Sequence, residues 1–277
     1  MIRIVIGSSV LVIAAAAAIL LWSNWRWSQS IDGDIRRLTA AASQDVRIVT
    51  ADMLRALPAP VQRYLAESGV VGKAIPNTIR LTQSGRIRSG KDASWMNLEA
   101  EEFYSTNPPA FVWKASLPAR SLPVVLGRDE YLDGQGSILM KMGSLFPVAE
   151  AEGEALNEAA LMRYLNEMMW FPAAFLGSNV TWTAIDDGSA QVTLGDRGMS
   201  ATATMFFDAE DKPVNFRATR FNTTTGKLET WETPVTAYGT FAGVNLPVKG
   251  SAVWKLADGD VTYIELEIPL VEYDLGR

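Results

Sequence analysis

Residues 95–104 read WMNLEAEEFY, and this stretch carries the pattern that predicts the fold class. Met96, Leu98 and Ala100 recur at every second position, with polar residues between them. A side-chain period of two is typical of a β-strand that buries one face. The stretch therefore predicts a strand with an apolar inner face and an outer face that carries Glu99 and Glu101.

The same alternation recurs over most of the chain. Further strands are predicted over residues 111–117, 138–142, 180–185, 191–194, 200–207, 214–221, 227–233, 248–256 and 262–273. Turn-forming pairs such as Asp187-Gly188 and Asp258-Gly259 separate them. Short strands with regular turns predict a mainly antiparallel β fold, which is a meander that closes as an open half-barrel or a sandwich.

Two stretches change to helical spacing, near residues 52–68 and 154–169. Pro58 and Pro60 divide the first into two short helices, because proline cannot continue a helix from its interior. Strands are predicted on both sides of the second helix. We therefore expect one β-rich soluble domain over residues 51–277, with these helices packed against it.

The N-terminus carries an uncharged apolar run that begins at Ile4 and ends at Trp22. As a helix this run spans roughly the 30 Å hydrocarbon layer of a bilayer. Tryptophans follow where an aromatic belt at the membrane surface is expected, namely Trp22, Trp25 and Trp27. The pattern predicts a transmembrane anchor over residues 1–27 and a juxtamembrane spacer over residues 28–50.

A cleaved signal peptide is the alternative interpretation of this run. The apolar stretch continues through Leu20 and Leu21, beyond the small-residue site in the alanine run, which favours an uncleaved anchor. The short tail before the run is typical of a signal anchor. We therefore predict a single-pass protein of the bacterial inner membrane, with its soluble domain on the periplasmic side.

The composition excludes several kinds of chemistry. The chain has no histidine and no cysteine, so it has no imidazole base, no thiolate nucleophile and no zinc or iron–sulfur site built from these residues. The formal net charge is −6, which argues against nucleic-acid binding. No cofactor motif and no metal-binding motif is present, so we predict neither a cofactor nor a metal.

Glu99 and Glu101 are the weak catalytic candidates. They lie two residues apart on one predicted strand, which places them about 7 Å apart, within the range of a glycosidase carboxylate pair. A plain solvated outer face is the alternative. Trp95 and Phe103 share this face, so we include them as candidate ligand-binding residues.

The end of the second helix is the main candidate for ligand binding. Its methionines and aromatic residues predict an adaptable apolar pocket, with ordinary core packing as the alternative: Met168, Met169, Trp170, Phe171 and Phe175. Arg163 is a candidate polar group, although it also stands four residues before Glu167 and could form a helix-surface ion pair.

Arg217 is a second candidate cation. It lies in a predicted strand, as Lys141 and Lys255 do, and a concave sheet face with these cations could receive an anionic headgroup. Solvent-facing strand residues are the alternative.

Four blocks of sequence resemble a known family. They are residues 57–65 (LPAPVQRYL), 127–134 (GRDEYLDG), 161–172 with the motifs LMRYLNE and WFP, and 252–259, which contain AVW and DG. Together they resemble an uncharacterised bacterial family of membrane-anchored proteins, a domain of unknown function, over about residues 51–273. The family brings no assigned catalytic residue. At the level of the fold, the layout is similar to the half-barrels of periplasmic lipoprotein carriers and lipid-binding proteins, and fold alone does not determine function.

The hypothesis that these patterns favour is a membrane-anchored, extracytoplasmic domain that binds an apolar or amphipathic ligand, a lipid among the candidates. Two alternatives stay open. One is a hydrolase of the cell envelope that uses Glu99 and Glu101. The other is a protein–protein interaction module of the envelope, whose partner the sequence does not identify.

Overall fold

The computed structural model describes residues 2–118 and 124–275, without the side chains of residues 2–10 and 12. Within these residues the α-helices are α1 (Ile2–Ala41), α2 (Ala51–Leu54), α3 (Ala59–Glu67) and α4 (Glu154–Glu167). The strands of the same residues are β1 (Thr78–Ile87), β2 (Met96–Thr106), β3 (Pro109–Leu117), β4 (Val125–Leu132), β5 (Gln135–Met142), β6 (Phe146–Glu152), β7 (Val180–Asp186), β8 (Ser189–Asp196), β9 (Met199–Phe207), β10 (Pro213–Asn222), β11 (Lys227–Glu232), β12 (Val235–Phe241), β13 (Val244–Leu256) and β14 (Gly259–Tyr273). Two short 3₁₀ helices, Met168–Trp170 and Pro172–Leu176, follow α4.

The described strands form one antiparallel sheet in the order β6-β5-β4-β3-β2-β1-β14-β13-β11-β10-β9-β8-β7, and β12 pairs with β13. Strands β1 to β6 form a first meander, and β7 to β11 form a second. The last two strands join them, because β14 pairs with β1 on one side and β13 on the other. The predicted mainly antiparallel β fold is confirmed.

Helix α4 lies inside the curve of this sheet. It contacts β3 to β6 from the first meander and β8 to β10 from the second, so the sheet bends around it as a half-barrel. At Gly136 of β5 the two backbones meet, because a Cβ there would lie 2.7 Å from the carbonyl oxygen of Leu156 and 2.8 Å from the Cβ of Ala160. The concave face of the sheet and α4 therefore enclose the main core.

The strand periodicity explains which side chains enter this core. On β2, Leu98, Ala100 and Tyr104 are buried, as the alternation in residues 95–104 predicts. Tyr104 packs on Phe171, with ring centroids 4.9 Å apart, and also on Tyr164 of α4. These aromatic contacts fix the helix and the segment after it to the middle of the sheet.

The second half of α1 covers part of the convex face. Trp27, Ile31 and Leu38 pack against Val112 and Leu132 of the sheet. Trp27 is only 9% exposed, so it contributes to this packing and not to an exposed aromatic surface. The predicted spacer over residues 28–50 is helical as far as the end of α1.

The predicted anchor is described only in part. Its residues 4–10 and 12 have no described side chains, so this portion of the prediction lies outside the described residues. Within the described residues, no helix combines the length and the apolar character needed to cross a bilayer.

Helices and strands differ in how well the sequence predicted them. Helices α2 and α3 lie on either side of Pro58, and α4 lies within the predicted residues 154–169. Strands β1, β4, β6 and β12 were not among the predicted strands. Strand β6 is an exposed edge with no buried face, so its sequence has no apolar period to detect.

We expect Gly136→Ala to lower the free energy of unfolding by about 1–3 kcal/mol, because the new methyl group would push α4 away from β5. Denaturant unfolding measures this effect. Gly188→Ala is the matched control, since its added Cβ would have no neighbour closer than 3.7 Å. Equal stability of the two variants would contradict the close packing of helix and sheet.

Candidate functional site

A cavity of about 520 Å³ lies between α4 and the concave face of the sheet. This volume falls within the range of about 300–1,000 Å³ that is usual for small-molecule sites. Its walls are largely apolar and include Ile87, Met140, Met169, Trp170, Trp231, Trp254, Ile264, Leu266 and Ile268. Polar side chains join them where α4 forms part of the wall.

Arg163 of α4 is the centre of the polar part. Its guanidinium group pairs with Glu102 of β2 at 2.8 Å, with Asp129 of β4 at 2.5 Å and with Glu167 of α4 at 2.7 Å. The side chain of Arg163 is 15% exposed, and that of Glu102 is fully buried. The guanidinium also lies over the rings of two aromatic residues of β3, one of which is Trp113. Each of its nitrogen atoms therefore meets one carboxylate.

Neutral groups complete the hydrogen bonds of these carboxylates. Gln83 donates from Nε2 to Oε2 of Glu102 at 2.8 Å, and Trp113 donates from Nε1 to Oε1 of Gln83 at 2.8 Å. The hydroxyl of Tyr104 donates to Oε2 of Glu167 at 3.2 Å. We call this set the Arg163 cluster, meaning Gln83, Glu102, Tyr104, Trp113, Asp129, Arg163 and Glu167. It ties α4 to strands β1 to β4.

Burial shapes the ionisation of the cluster. It raises the pKa of Glu102 above the ordinary value of 4.5, and the attraction of Arg163 only partly opposes it. Burial raises the pKa of Glu167 in the same way. For Arg163, burial favours the neutral form, but the three carboxylates outweigh it and raise its pKa, so the guanidinium stays charged. The cluster thus holds one permanent positive charge, and two of its carboxyl groups, Glu102 and Glu167, accept protons more readily than usual.

The residues predicted at the helix end divide between cavity and core. Met169 and Trp170 line the cavity. Met168, Phe171 and Phe175 are buried in the core, where Phe175 packs on Trp182. The division arises because α4 ends at Glu167 and 3₁₀ turns follow, so the side chains no longer follow the α-helical period.

Arg163 lines the cavity, as a ligand-binding residue would. Its pairing with Glu167 exists, but this pair is buried and does not lie on an exposed helix surface. The expectation of a simple surface pair missed this because Glu102 and Asp129 come from distant parts of the chain.

Arg217 lies elsewhere. It is exposed, pairs with Glu232 at 2.6 Å and stacks over the ring of Phe206. The other two cations that were predicted to share a concave face with Arg217 do not line the cavity. Lys141 stacks over Trp27 of α1, and Lys255 pairs with Asp260.

Trp95 and Phe103 are half-buried and do not line the cavity. Arg86 and Arg88 stack on Trp95, and Lys114 lies over Phe103. Both aromatic rings therefore pack against cations.

Glu99 and Glu101 lie on the convex side, next to a groove beneath α1. Burial alone would raise the pKa of Glu101, but hydrogen bonds from Lys114 and Arg80 outweigh it and lower that pKa. Glu101 is thus held as an ionised carboxylate in a ladder of surface charges. A carboxylate held in this way is poorly suited to donate a proton.

Several important side chains were not predicted as site residues. Glu102 has the same parity on β2 as Ala100 and Tyr104, so the alternation could have placed it inside. Arg220 has the parity of Ala218 on β10 and lines the cavity, whereas Arg217 faces away. Among the residues that the structure describes, no group of acidic side chains is arranged to hold a metal ion.

A half-barrel sheet wrapped around one helix, with an apolar cavity between them, is the class of structure that these observations define. A model of a family of unknown function, DUF6544, matches residues 47–266, and the chain belongs to this family. The resemblance found in the four sequence blocks is thereby confirmed. No curated protein matches the chain.

The chain is similar to several solved structures, including the following three. A LolA-superfamily protein from Nitrosomonas europaea is 12% identical with a TM-score of 0.44, and the match covers 77% of this chain and 93% of that one. An outer-membrane lipoprotein-sorting protein domain from Vibrio parahaemolyticus is 9% identical with a TM-score of 0.37, covering 73% and 87%. A DUF1329 family protein from Desulfovibrio piger is 8% identical with a TM-score of 0.40, covering 80% and 95%.

The raised pKa of Glu102 predicts a pH dependence of stability. A raised carboxyl pKa contributes stability that is complete below the unfolded-state value and is lost as the pH rises through the folded-state value. We therefore expect Glu102→Gln, which cannot lose this proton, to gain stability relative to the wild type as the pH rises above about 4.5. Thermal unfolding between pH 4 and pH 8 measures the difference.

Glu99→Gln on the same strand is the control, because Glu99 is exposed on the convex side. This variant removes a carboxylate of the same strand that lies outside the Arg163 cluster, so the comparison isolates the effect of the buried position. A constant difference between Glu102→Gln and the wild type would show that the pKa of Glu102 is the same in the folded and unfolded states, which would contradict the raised pKa.

Proposed function

We propose that this protein binds an apolar or amphipathic ligand of the lipid class in the cavity between α4 and the sheet. The observation that carries the proposal is the cavity itself. Protein cores leave few voids larger than a water molecule. An apolar space of about 520 Å³ between the helix and the sheet therefore fits an occupant.

The walls favour a ligand with a flexible apolar part. Met140 and Met169 line the cavity with unbranched side chains that adapt to different shapes. The rings of Trp231, Trp254 and Tyr263 follow one another along another wall, with centroids 6.4 and 5.9 Å apart. Burial of apolar ligand surface against them would supply about 25 cal/mol per Å².

The ion network supports binding more than catalysis. In the Arg163 cluster, both oxygens of Glu102 and both of Glu167 already accept hydrogen bonds from protein groups. Carboxyl groups whose oxygens are all engaged by protein donors hold the wall rigid and offer no free oxygen to a substrate. The geometry therefore favours a binding protein over a hydrolase.

We also propose that α1 attaches the domain to the bacterial inner membrane, with the cavity on the periplasmic side. Support comes from the uncharged sequence of the run and from large apolar side chains of α1 that are exposed to solvent, namely Leu11, Ile13, Leu20, Leu21 and Trp22. Such side chains are favourably buried in a bilayer.

Ala252→Trp tests the binding site. Ala252 is buried on β13 and lines the cavity, so an indole at this position would fill the ligand space. We expect native mass spectrometry of the full-length chain to show a co-purifying lipid on the wild type and its loss from this variant, with at least a tenfold lower occupancy.

Val253→Trp is the matched control, because Val253 is next to Ala252 in the chain but does not line the cavity. It should keep the lipid. Thermal unfolding of both variants shows whether Ala252→Trp is folded. A wild-type chain that carries no lipid, and whose melting temperature does not shift across a lipid panel, would overturn the proposal.

A further inference from the structure

We infer that the ligand carries an oxyanion head, and that Arg220 of β10 receives it inside the cavity. The inference rests on the proposed function and specifies the class of ligand as an anionic amphiphile. Five cationic side chains line the cavity among the described residues: Arg88, Lys91, Arg163, Arg220 and Lys249. A cation without a carboxylate partner can bind an anion without first breaking an ion pair.

Most of these cations are already engaged. Arg163 is saturated by three carboxylates. Lys249 pairs with Glu267 at 3.1 Å. Arg88 donates hydrogen bonds to two backbone carbonyl oxygens, and Lys91 donates to one. Neither has a carboxylate partner among the described residues, but Lys91 is exposed, and Arg88 stacks on Trp95, which does not line the cavity.

Arg220 is different. Its Nε donates to the backbone carbonyl oxygen of Ala159 at 2.9 Å, which fixes the guanidinium against α4. The guanidinium lies over Trp231 and Trp254, at 4.7 and 5.8 Å from the ring centroids. Among the described residues, no carboxylate lies within 4.0 Å of Arg220, and its two Nη atoms have no hydrogen-bond acceptor. A positioned guanidinium with two free NH2 groups therefore borders an apolar cavity.

This arrangement suits an oxyanion. A guanidinium binds carboxylate or phosphate oxygens through two parallel hydrogen bonds, and the interaction is stronger in a site with little water. The loop after β10 adds neutral donors, because Thr223, Thr224 and Thr225 also line the cavity. Their hydroxyl groups could share the anion without adding charge.

The Arg163 cluster does not prevent an anion from binding nearby. Ala159, which accepts the Arg220 hydrogen bond, precedes Arg163 by one helical turn, so the cluster is close. Burial raises the pKa of Glu102 and of Glu167. Protonation of these carboxyl groups lowers the negative charge that an anion at Arg220 would experience.

The shared chemistry of the head is an oxyanion, and two sources provide it: the carboxylate of a fatty acid and the phosphate of a phospholipid. The test compares charged and uncharged probes on the delipidated full-length chain, held in a non-ionic amphipathic polymer. One pair is palmitate and hexadecanol, and the other is phosphatidylglycerol and diacylglycerol. Binding is measured by native mass spectrometry and by quenching of tryptophan fluorescence.

We expect the wild type to bind at least one anionic probe roughly 10- to 100-fold more tightly than its neutral counterpart. Arg220→Met should abolish this preference while it retains the neutral probe, and that retention shows that the variant is folded. Arg220→Lys should keep part of the preference. Arg217→Met is the matched control on the same strand, since Arg217 is exposed and faces away from the cavity, and it should behave as the wild type.

The outcomes separate the two proposals. If the wild type binds neither member of either pair, the proposed function fails. If it binds anionic and neutral probes equally, or if Arg220→Met keeps the preference, the oxyanion site fails while lipid binding stands. A preference confined to palmitate or to phosphatidylglycerol supports the site and identifies the head as carboxylate or phosphate.

Discussion

Arg163 carries a charge into the space between α4 and the sheet, and the architecture accommodates it. A buried charge is tolerated only when it is paired and hydrogen-bonded, and removing one partner costs about 3–5 kcal/mol. Here the partners are Glu102, Asp129 and Glu167, which come from β2, β4 and α4. One guanidinium therefore determines where the helix lies on the first meander, and the aromatic contacts of Tyr104 add to this placement.

The second meander must then curve to reach the same helix. It does so through β9 and β10, and Arg220 bonds to the backbone of α4 from that side. A single short helix cannot cover the whole concave face of so wide a sheet. The space left over, towards β13 and β14, is the cavity. The cavity thus follows from the same constraint that builds the core, and the two arginines play different parts: Arg163 stabilises the helix, and Arg220 is available to a ligand.

Much of the fold could be predicted from local pattern. The alternation of Leu98, Ala100 and Tyr104 indicates one buried face. Pro58 marks the boundary between α2 and α3, and Pro60 lies in the first turn of α3. Candidate site residues were harder to predict. The candidate carboxylates of β2, Glu99 and Glu101, face outward. The buried carboxyl group is that of Glu102, which follows Glu101 directly and has the same parity as the core residues of this strand. A glutamate in a strand is expected to be exposed, because a carboxylate is seldom buried unless a partner neutralises it.

The sequence by itself determined the β-rich class, the helical segments, the absence of histidine and cysteine chemistry, and the family. These depend on composition and on residues close together in the chain, since the periods of strands and helices are local properties. Only the tertiary structure decided which charges are buried and which cation is free. Arg163 meets Glu102 across 61 positions, and Arg220 reaches α4 across another 61. Such pairings depend on strand register and on the curvature of the sheet, which no local pattern encodes.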